Sequence, residues 1–251
     1  IKGEQNIFWP EKIKWFAQSS GTTNSKSKFI PVSNSSLDGC HFKGGKDMLC
    51  FYLNNNENSN MFIGKSLRLG GSRKIYENNN HHFGDLSAIL IDNLPIWAEL
   101  ISTPSNEISL LDKWDEKIDA IIKGTLQEDV RSLSGVPSWM LTLMNKLLET
   151  TGKNYIDEIW QNLEVFFHGG VSFKPYRNEF NNIISNKNFK YYEVYNASEG
   201  FFGIQDSNDA RDLLLMLDYG VFYEFIEVSE MEKSEKIIDL SQVKKGVNYA
   251  M

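Results

Sequence analysis

Short apolar runs alternate with amphipathic stretches of ten or more residues along this chain, and that alternation limits the possible folds more than any other feature. Residues 163–167 read as a buried strand that breaks off into His168-Gly169-Gly170, with further strands at 191–195, 200–204 and 221–228. Residues 13–17 and 28–32 read as short strands on either side of a Ser/Gly/Thr loop, and 65–69 as a strand ending in Gly70-Gly71. Helices are expected over 35–53, with Ser35 as cap and Gly44-Gly45 as the weak point, and over 85–101, with Asp85 as N-cap and Pro95 as a kink. Residues 110–128 place Ile118, Ile121, Ile122 and Leu126 on one helical face, and 138–150 and 176–184 are helical too. Residues 129–134 read as a connecting segment, and the triple asparagines at 54–56 and 78–80 as turns. Strands interleaved with helices in this way imply an α/β fold of mixed, largely parallel sheets flanked by helices.

Charge and cysteine content exclude several functional classes. Across 251 residues, 26 Lys and Arg face 33 Asp and Glu, a net charge of −7. An acidic chain lacks the basic face that a phosphate backbone requires, so no nucleic-acid partner is expected. Cys40 and Cys50 are the only cysteines, which suits a reducing cytoplasm better than an oxidised exterior. The most apolar windows, 86–101 and 213–217, are interrupted by polar residues or far shorter than the roughly 20 residues of a spanning helix, so no membrane partner is expected either. The chain opens on Ile1-Lys2 and closes within a strand-like stretch at Ala250-Met251, which reads as a piece cut from a longer protein.

Several common chemistries fail at the level of motif. No phosphate-binding Walker loop, no Gly-x-Gly-x-x-Gly fingerprint and no Gly-x-Ser-x-Gly nucleophile elbow occurs. The spacings of Cys40, His41, Cys50, His81 and His82 fit no zinc pattern. Three segments remain, each in a loop after a strand, where α/β proteins place ligand chemistry. Ser19-Ser20-Gly21-Thr22-Thr23, followed by Lys26 and Lys28, offers hydroxyl and backbone donors to a polyphosphate. His168-Gly169-Gly170-Val171 leaves backbone bare for a planar ligand. Tyr195-Asn196-Ala197-Ser198-Glu199-Gly200 combines an aromatic, a hydroxyl and a carboxylate at a strand end. Taken singly, each would serve equally as an ordinary polar turn; the signal is their presence together, in this order.

That ordered set resembles the adenylate-forming superfamily of acyl-CoA synthetases, non-ribosomal adenylation domains and luciferases. The similarity is greatest to its auxin-responsive-promoter family of acyl acid amido synthetases, in the bacterial branch. Residues 13–32 (IKWFAQSSGTTNSKSKFIPV), 84–97 (GDLSAILIDNLPIW) and 135–141 (GVPSWML) carry it, with 165–176 (VFFHGGVSFKPY), 195–206 (YNASEGFFGIQD) and 213–225 (LLLMLDYGVFYEF). The resemblance implies that residues 1–251 are the central part of a large ATP-binding adenylation domain whose C-terminal lid is absent. It implies ATP contacts from Ser19, Ser20, Gly21, Thr22 and Thr23 around the phosphates. Gly169, Gly170 and Val171 would lie along the adenine, with Tyr195 stacked on it. Ser198 would sit near the α-phosphate and Glu199 would hold Mg²⁺, the two serving as the catalytic pair. Asn196 and Ala197 would contact the ATP as well, although Asn196 stands where the wider superfamily often has glycine.

The implied reaction joins a small-molecule carboxylic acid to an amino acid through an acyl-adenylate, with ATP consumed and Mg²⁺ as cofactor. Trp139, Met140 and Phe201 are candidates for the wall of the acyl pocket; core packing would account for each of them as well. The family's ribose-binding aspartate and lid lysine fall beyond Met251, so the chain alone is expected to bind ATP at best and not to turn over. A thioester-forming ligase acting on CoA would share the first half-reaction, and a non-catalytic module would share only the fold.

Overall fold

Leu67, Leu69 and Leu133 alternate with Ser66, Arg68, Ser132 and Ser134 along two adjacent strands, so on these two strands one face is apolar and the other polar. The computed structural model describes residues 5–7, 9–19, 28–71, 76–78, 81–231 and 237–251. Its main sheet has seven strands: β3 (Lys65–Leu69), β6 (Ser102–Thr103), β7 (Val130–Gly135), β8 (Val165–Gly169), β9 (Lys190–Ala197), β10 (Gly200–Ile204) and β11 (Leu214–Leu215). They are ordered β11-β10-β9-β8-β7-β3-β6. From β9 to β6 every pairing is parallel, and β10 and β11 add an antiparallel margin.

Helices cover both faces of this sheet, as buried parallel strands require. On one side α6 (Trp114–Thr125), α7 (Pro137–Thr151) and α8 (Arg177–Ile183) close the main core, in which Ile121, Leu133, Met144, Leu147 and Phe166 are fully buried. Trp160 also sits there, its Nε1 donating to the Thr125 carbonyl at 3.1 Å. On the other side α2 (Lys43–Asn55) brings Tyr52 and Leu49 against Val165, Phe167 and Tyr192. A second sheet, ordered β2-β1-β5-β4, contains β1 (Trp15–Gln18), β2 (Phe29–Val32), β4 (Tyr76–Asn78) and β5 (His81–Gly84). It packs Ala17 and Val32 against Leu37 and Ile89. The α/β class and the mixed, largely parallel sheets read from the sequence are those observed.

Local boundaries depart from the expected ones for physical reasons. The helix expected over 35–53 is capped by Ser33, whose Oγ accepts from Ser36 N at 3.0 Å, and it runs through a π-helical turn, Leu37–Phe42, before α2 begins. The stretch 85–101 is two helices, α3 (Leu86–Asp92) and α4 (Ile96–Leu100), because Pro95 starts the second instead of kinking one. Asp85 holds the N-cap position without making the cap hydrogen bond. Residues 129–134, read as a connector, are the inner strand β7. Asn55 and Asn56 are not a turn but the end of α2, where their amides donate to the carbonyls of Phe51 and Tyr52.

Gly44 also has a specific reason to be in a helix. A Cβ built there would lie 2.5 Å from the ring of Phe201, so glycine lets β10 close against α2. Gly44→Ala should therefore destabilise the fold by about 1–3 kcal/mol despite alanine's better helix propensity, read as a lower midpoint in urea unfolding.

The chain divides into two compact units, Ile1–Tyr219 and Gly220–Met251. In the second, β12 (Ile226–Glu227) pairs antiparallel with β13 (Tyr249–Ala250), and Phe225 bridges to Ile238. The strand expected over 221–228 is thus confined to two residues, followed by a 3₁₀ turn at Val228–Glu230. No helix among the described residues is long and apolar enough to cross a membrane.

Candidate active site

At the C-terminal ends of β8 and β9 the sheet opens into a cavity of about 1010 Å³. Parallel strands direct their following loops to one edge, and the sequence candidates gather there. Ser19, Gly169, Gly170, Tyr195, Asn196, Ala197, Ser198, Glu199, Trp139 and Phe201 all line it. Val171 does not; it is exposed beside Gly170. Met140 does not line the cavity either. It is fully buried in the main core, where the inner face of α7 packs on the sheet, which corrects its place as a pocket wall. Ser20, Gly21, Thr22 and Thr23 lie outside the described residues; the ends of their loop are drawn together where Ser19 N donates to the Lys28 carbonyl at 2.9 Å.

Each cavity residue is placed by an identifiable local rule. Gly170 has φ +82°, a left-handed conformation open to glycine at little cost, so the chain turns away from β8 with bare backbone facing the cavity. Ala197 and Gly200 pair across the β9–β10 hairpin, making Ser198 and Glu199 its two turn residues. A register shift between Phe201 and Gly203 sets Phe202 beside Tyr195, with ring centroids 5.1 Å apart. Tyr195 remains 48% exposed, so much of its ring is open to a second planar partner.

Two histidines also line the cavity: His41, which none of the three candidate segments contains, and His168, which opens the second of them. His41 hangs from the π-helical turn, a distortion that often marks functional positions, and its Nδ1 meets Asn196 Oδ1 at 2.9 Å. This contact fixes Asn196 from below, and burial lowers the His41 pKa, with the Asn196 bond opposing it. The neutral ring then donates from Nδ1 and leaves Nε2 as a buried acceptor with no partner among the described residues. His168 is 2% exposed, stacked on Phe173 with centroids 4.0 Å apart, and burial pulls its pKa down to about 3. It lines the cavity as a neutral ring.

Further round the wall, α3 and α4 with the connection between them contribute Leu90, Leu94, Pro95, Trp97 and Ala98, and the sheet contributes Ser66, Arg68 and Ser134. Behind β3, the buried Lys117 donates to the carbonyls of Gly70 and Gly71 at 2.8 and 2.9 Å and fixes the turn that leaves the strand. Burial pulls its pKa down to about 8.

The donor chemistry discriminates between kinds of ligand. Among the described residues no three His, Cys, Asp or Glu side chains converge on one point. Glu199, an exposed carboxylate at the hairpin turn, and Asp85 both line the cavity, and so sparse a donor set suits Mg²⁺ held jointly by a protein carboxylate and phosphate oxygens better than an all-protein metal cage. The bare Gly170 backbone and the open Tyr195 ring fit a flat heterocycle.

Comparison with known proteins bears on the family and the fold. Residues 1–189 match the GH3 family N-terminal domain, and residues 214–251 match the GH3 family central domain. No curated protein matches the chain in sequence. Among solved structures, "AtGH3.15 acyl acid amido synthetase in complex with 2,4-DB" is similar with TM-score 0.72 and 14% identity over 95% of this chain and 50% of that one. A second structure, "GH3.15 acyl acid amido synthetase", gives TM-score 0.69 and 14% identity over 95% of this chain and 49% of that one. The chain therefore spans about half the length of these structures, and the likeness extends to the fold. With its N-terminal 189 residues matched to the family's own N-terminal domain, and its sheet, hairpin and glycine turn arranged around one cavity, the chain belongs to the GH3 family.

Proposed function

We propose that this chain is the nucleotide- and acid-binding body of an ATP-dependent acyl acid amido synthetase. One observation carries the reading: Ser19, Gly170, Tyr195, Ser198 and Glu199, separated widely in sequence, share the wall of a single cavity. In the first step a substrate carboxylate oxygen attacks the α-phosphorus of ATP, forming an acyl-adenylate as the bond to the β-phosphate breaks and pyrophosphate leaves. In the second, an amino group attacks the acyl carbon, AMP departs and the nitrogen loses a proton.

The residues do this by placement and charge, since no covalent nucleophile is required. Tyr195 and the Gly169-Gly170 backbone hold the base. Asn196, fixed by His41, orders the strand end that precedes the turn. Ser198 presents a hydroxyl to a phosphate oxygen. Glu199 would hold Mg²⁺, which when bound neutralises phosphate charge as it develops. The apolar surface from α3, α4, Trp139 and Phe201 suits the body of an organic acid, with polar groups at its ends. The exposed free thiol of Cys50 suits a reducing compartment, and on that ground the enzyme is placed in the cytoplasm.

The test is acid-dependent ATP–pyrophosphate exchange by the full-length protein, screened over aromatic, aliphatic and dicarboxylic acids, with Mg-ATP titrated calorimetrically into this chain. Exchange with at least one acid, and Mg-dependent ATP binding, are expected. No exchange across the screen would overturn the ligase reading, and no ATP binding would leave a non-catalytic module of the same fold. Acceptor choice, amino acid against CoA, is then read from the product formed.

A further inference from the structure

Arg68 is an anomaly on a buried sheet face. The core-facing side of β3 carries Leu67 and Leu69, so Ser66 and Arg68 point the other way, toward the cavity. The register sets Ser132 beside Ser66 and Ser134 beside Arg68 on β7, and Ser102 beside Ser66 on β6. Inner strands of a parallel sheet ordinarily carry Val, Ile or Leu on both faces. Here Ser66, Ser102, Ser132 and Ser134 share that face with Arg68.

The guanidinium is also unsatisfied. Nε and Nη2 of Arg68 are buried without a hydrogen-bond partner among the described residues, as is Oγ of Ser132. Glu99 acts on Arg68 only through its charge, and its Oε1 accepts instead from Asn106 Nδ2 at 3.1 Å. Burial pulls the Arg68 pKa down to about 10, so the group stays charged at neutral pH. Arg68 is half-buried as a residue, but two buried, unused donors on a cation are costly unless an anion completes them, and the guanidinium fork matches a carboxylate.

Position separates this anion site from the phosphate end of the cavity. Arg68, Ser134, Phe167 and Tyr192 follow one another across four strands, and Tyr195 lies three residues further along the last. Three strand steps of about 4.8 Å and three residues of about 3.3 Å set the Cα atoms of Arg68 and Tyr195 roughly 17 Å apart, which leaves room for an extended acyl chain between the two ends. The wall of the same cavity includes Leu94, Pro95, Trp97 and Ala98, an apolar surface for a methylene chain.

We propose that Arg68, with Ser66 and Ser134, is a subsite for a second carboxylate on the acyl substrate, so that this chain selects long dicarboxylic acids over monocarboxylic ones. The assignment of the distal end rests on the proposed adenylation at Ser198 and Glu199; the subsite itself rests on Arg68. The same carboxylate chemistry could come from an amino acid, and the experiment separates the two sources.

Octanoate against octanedioate, decanoate against decanedioate, and glutamate are titrated calorimetrically into this chain, with Mg-ATP run separately on the same preparation. Each diacid should bind about ten-fold or more tightly than its monoacid, as expected for a charge-assisted bidentate pair. Arg68→Met should bring the diacid to the monoacid's affinity, and Arg68→Lys should keep part of the preference; thermal melts verify that both variants fold. Equal binding of monoacid and diacid by the wild-type chain overturns the proposal even if a variant fails to fold. A preference that survives Arg68→Met, or Arg68-dependent binding of glutamate but not diacid, also overturns it. Diacid preference without Mg-ATP binding would remove the adenylation reading and leave the subsite standing.

Discussion

Glu199→Ala should lower ATP–pyrophosphate exchange in the full-length protein by about 10³-fold or more, equivalent to roughly 4 kcal/mol of transition-state stabilisation. The carboxylate sits at the second position of the β9–β10 turn and makes no hydrogen bond or ion pair among the described residues. Nothing in the fold depends on it, so the variant's stability should lie within about 0.5 kcal/mol of wild type. In this chain alone, the same substitution should remove the Mg²⁺ dependence of ATP binding. Glu199→Gln keeps the shape and discards the charge, and should behave as Glu199→Ala. Glu199→Asp retains the charge on a shorter arm and should recover part of the rate at raised Mg²⁺. Unchanged exchange in Glu199→Ala would show that the metal is held elsewhere.

The contrast between what the motifs revealed and what they hid follows from the physics of each element. The β9–β10 hairpin was legible because the residues proposed to act there, Tyr195 to Gly200, are contiguous and their types are informative together. The strand β7 was hidden, because Arg131, Ser132 and Ser134 make Val130–Gly135 read as polar. Its serines lie under the cavity, where neighbouring strands and not hydrophobicity determine pairing. Arg68 was hidden for the same reason: Lys65–Leu69 was recognised as a strand, yet alternation in a strand expected to be buried was the signal of a polar face. Met140 misled because a helix opening beside a pocket also has an inward side, and spacing alone did not say which side each residue took. His41 depended on a π-helical turn that no sequence pattern had indicated.

Replacing His168 by phenylalanine should make the protein more acid-resistant. The ring is 2% exposed, stacked on Phe173 and next to Phe166, and neither ring nitrogen has a hydrogen-bond partner among the described residues. Burial first, and the charge of Arg177 second, pull its pKa from 6.5 to about 3. Between these values the unfolded chain binds a proton that the folded chain refuses, so folding stability falls as pH drops from 6.5 toward 3. At pH 4.5 the loss is on the order of 3 kcal/mol, and it is absent above pH 7. Phenylalanine fits the same aromatic stack and cannot titrate. Urea unfolding of His168→Phe should therefore show little change from wild type at pH 7.5 and a gain of about 2–3 kcal/mol at pH 4.5, where wild type has weakened. Equal acid sensitivity in the two proteins would mean that His168 is protonated in the fold. The buried pocket edge beneath Gly169 and Gly170 would then be a charged surface, and the neutral wall described for the nucleotide end would be wrong.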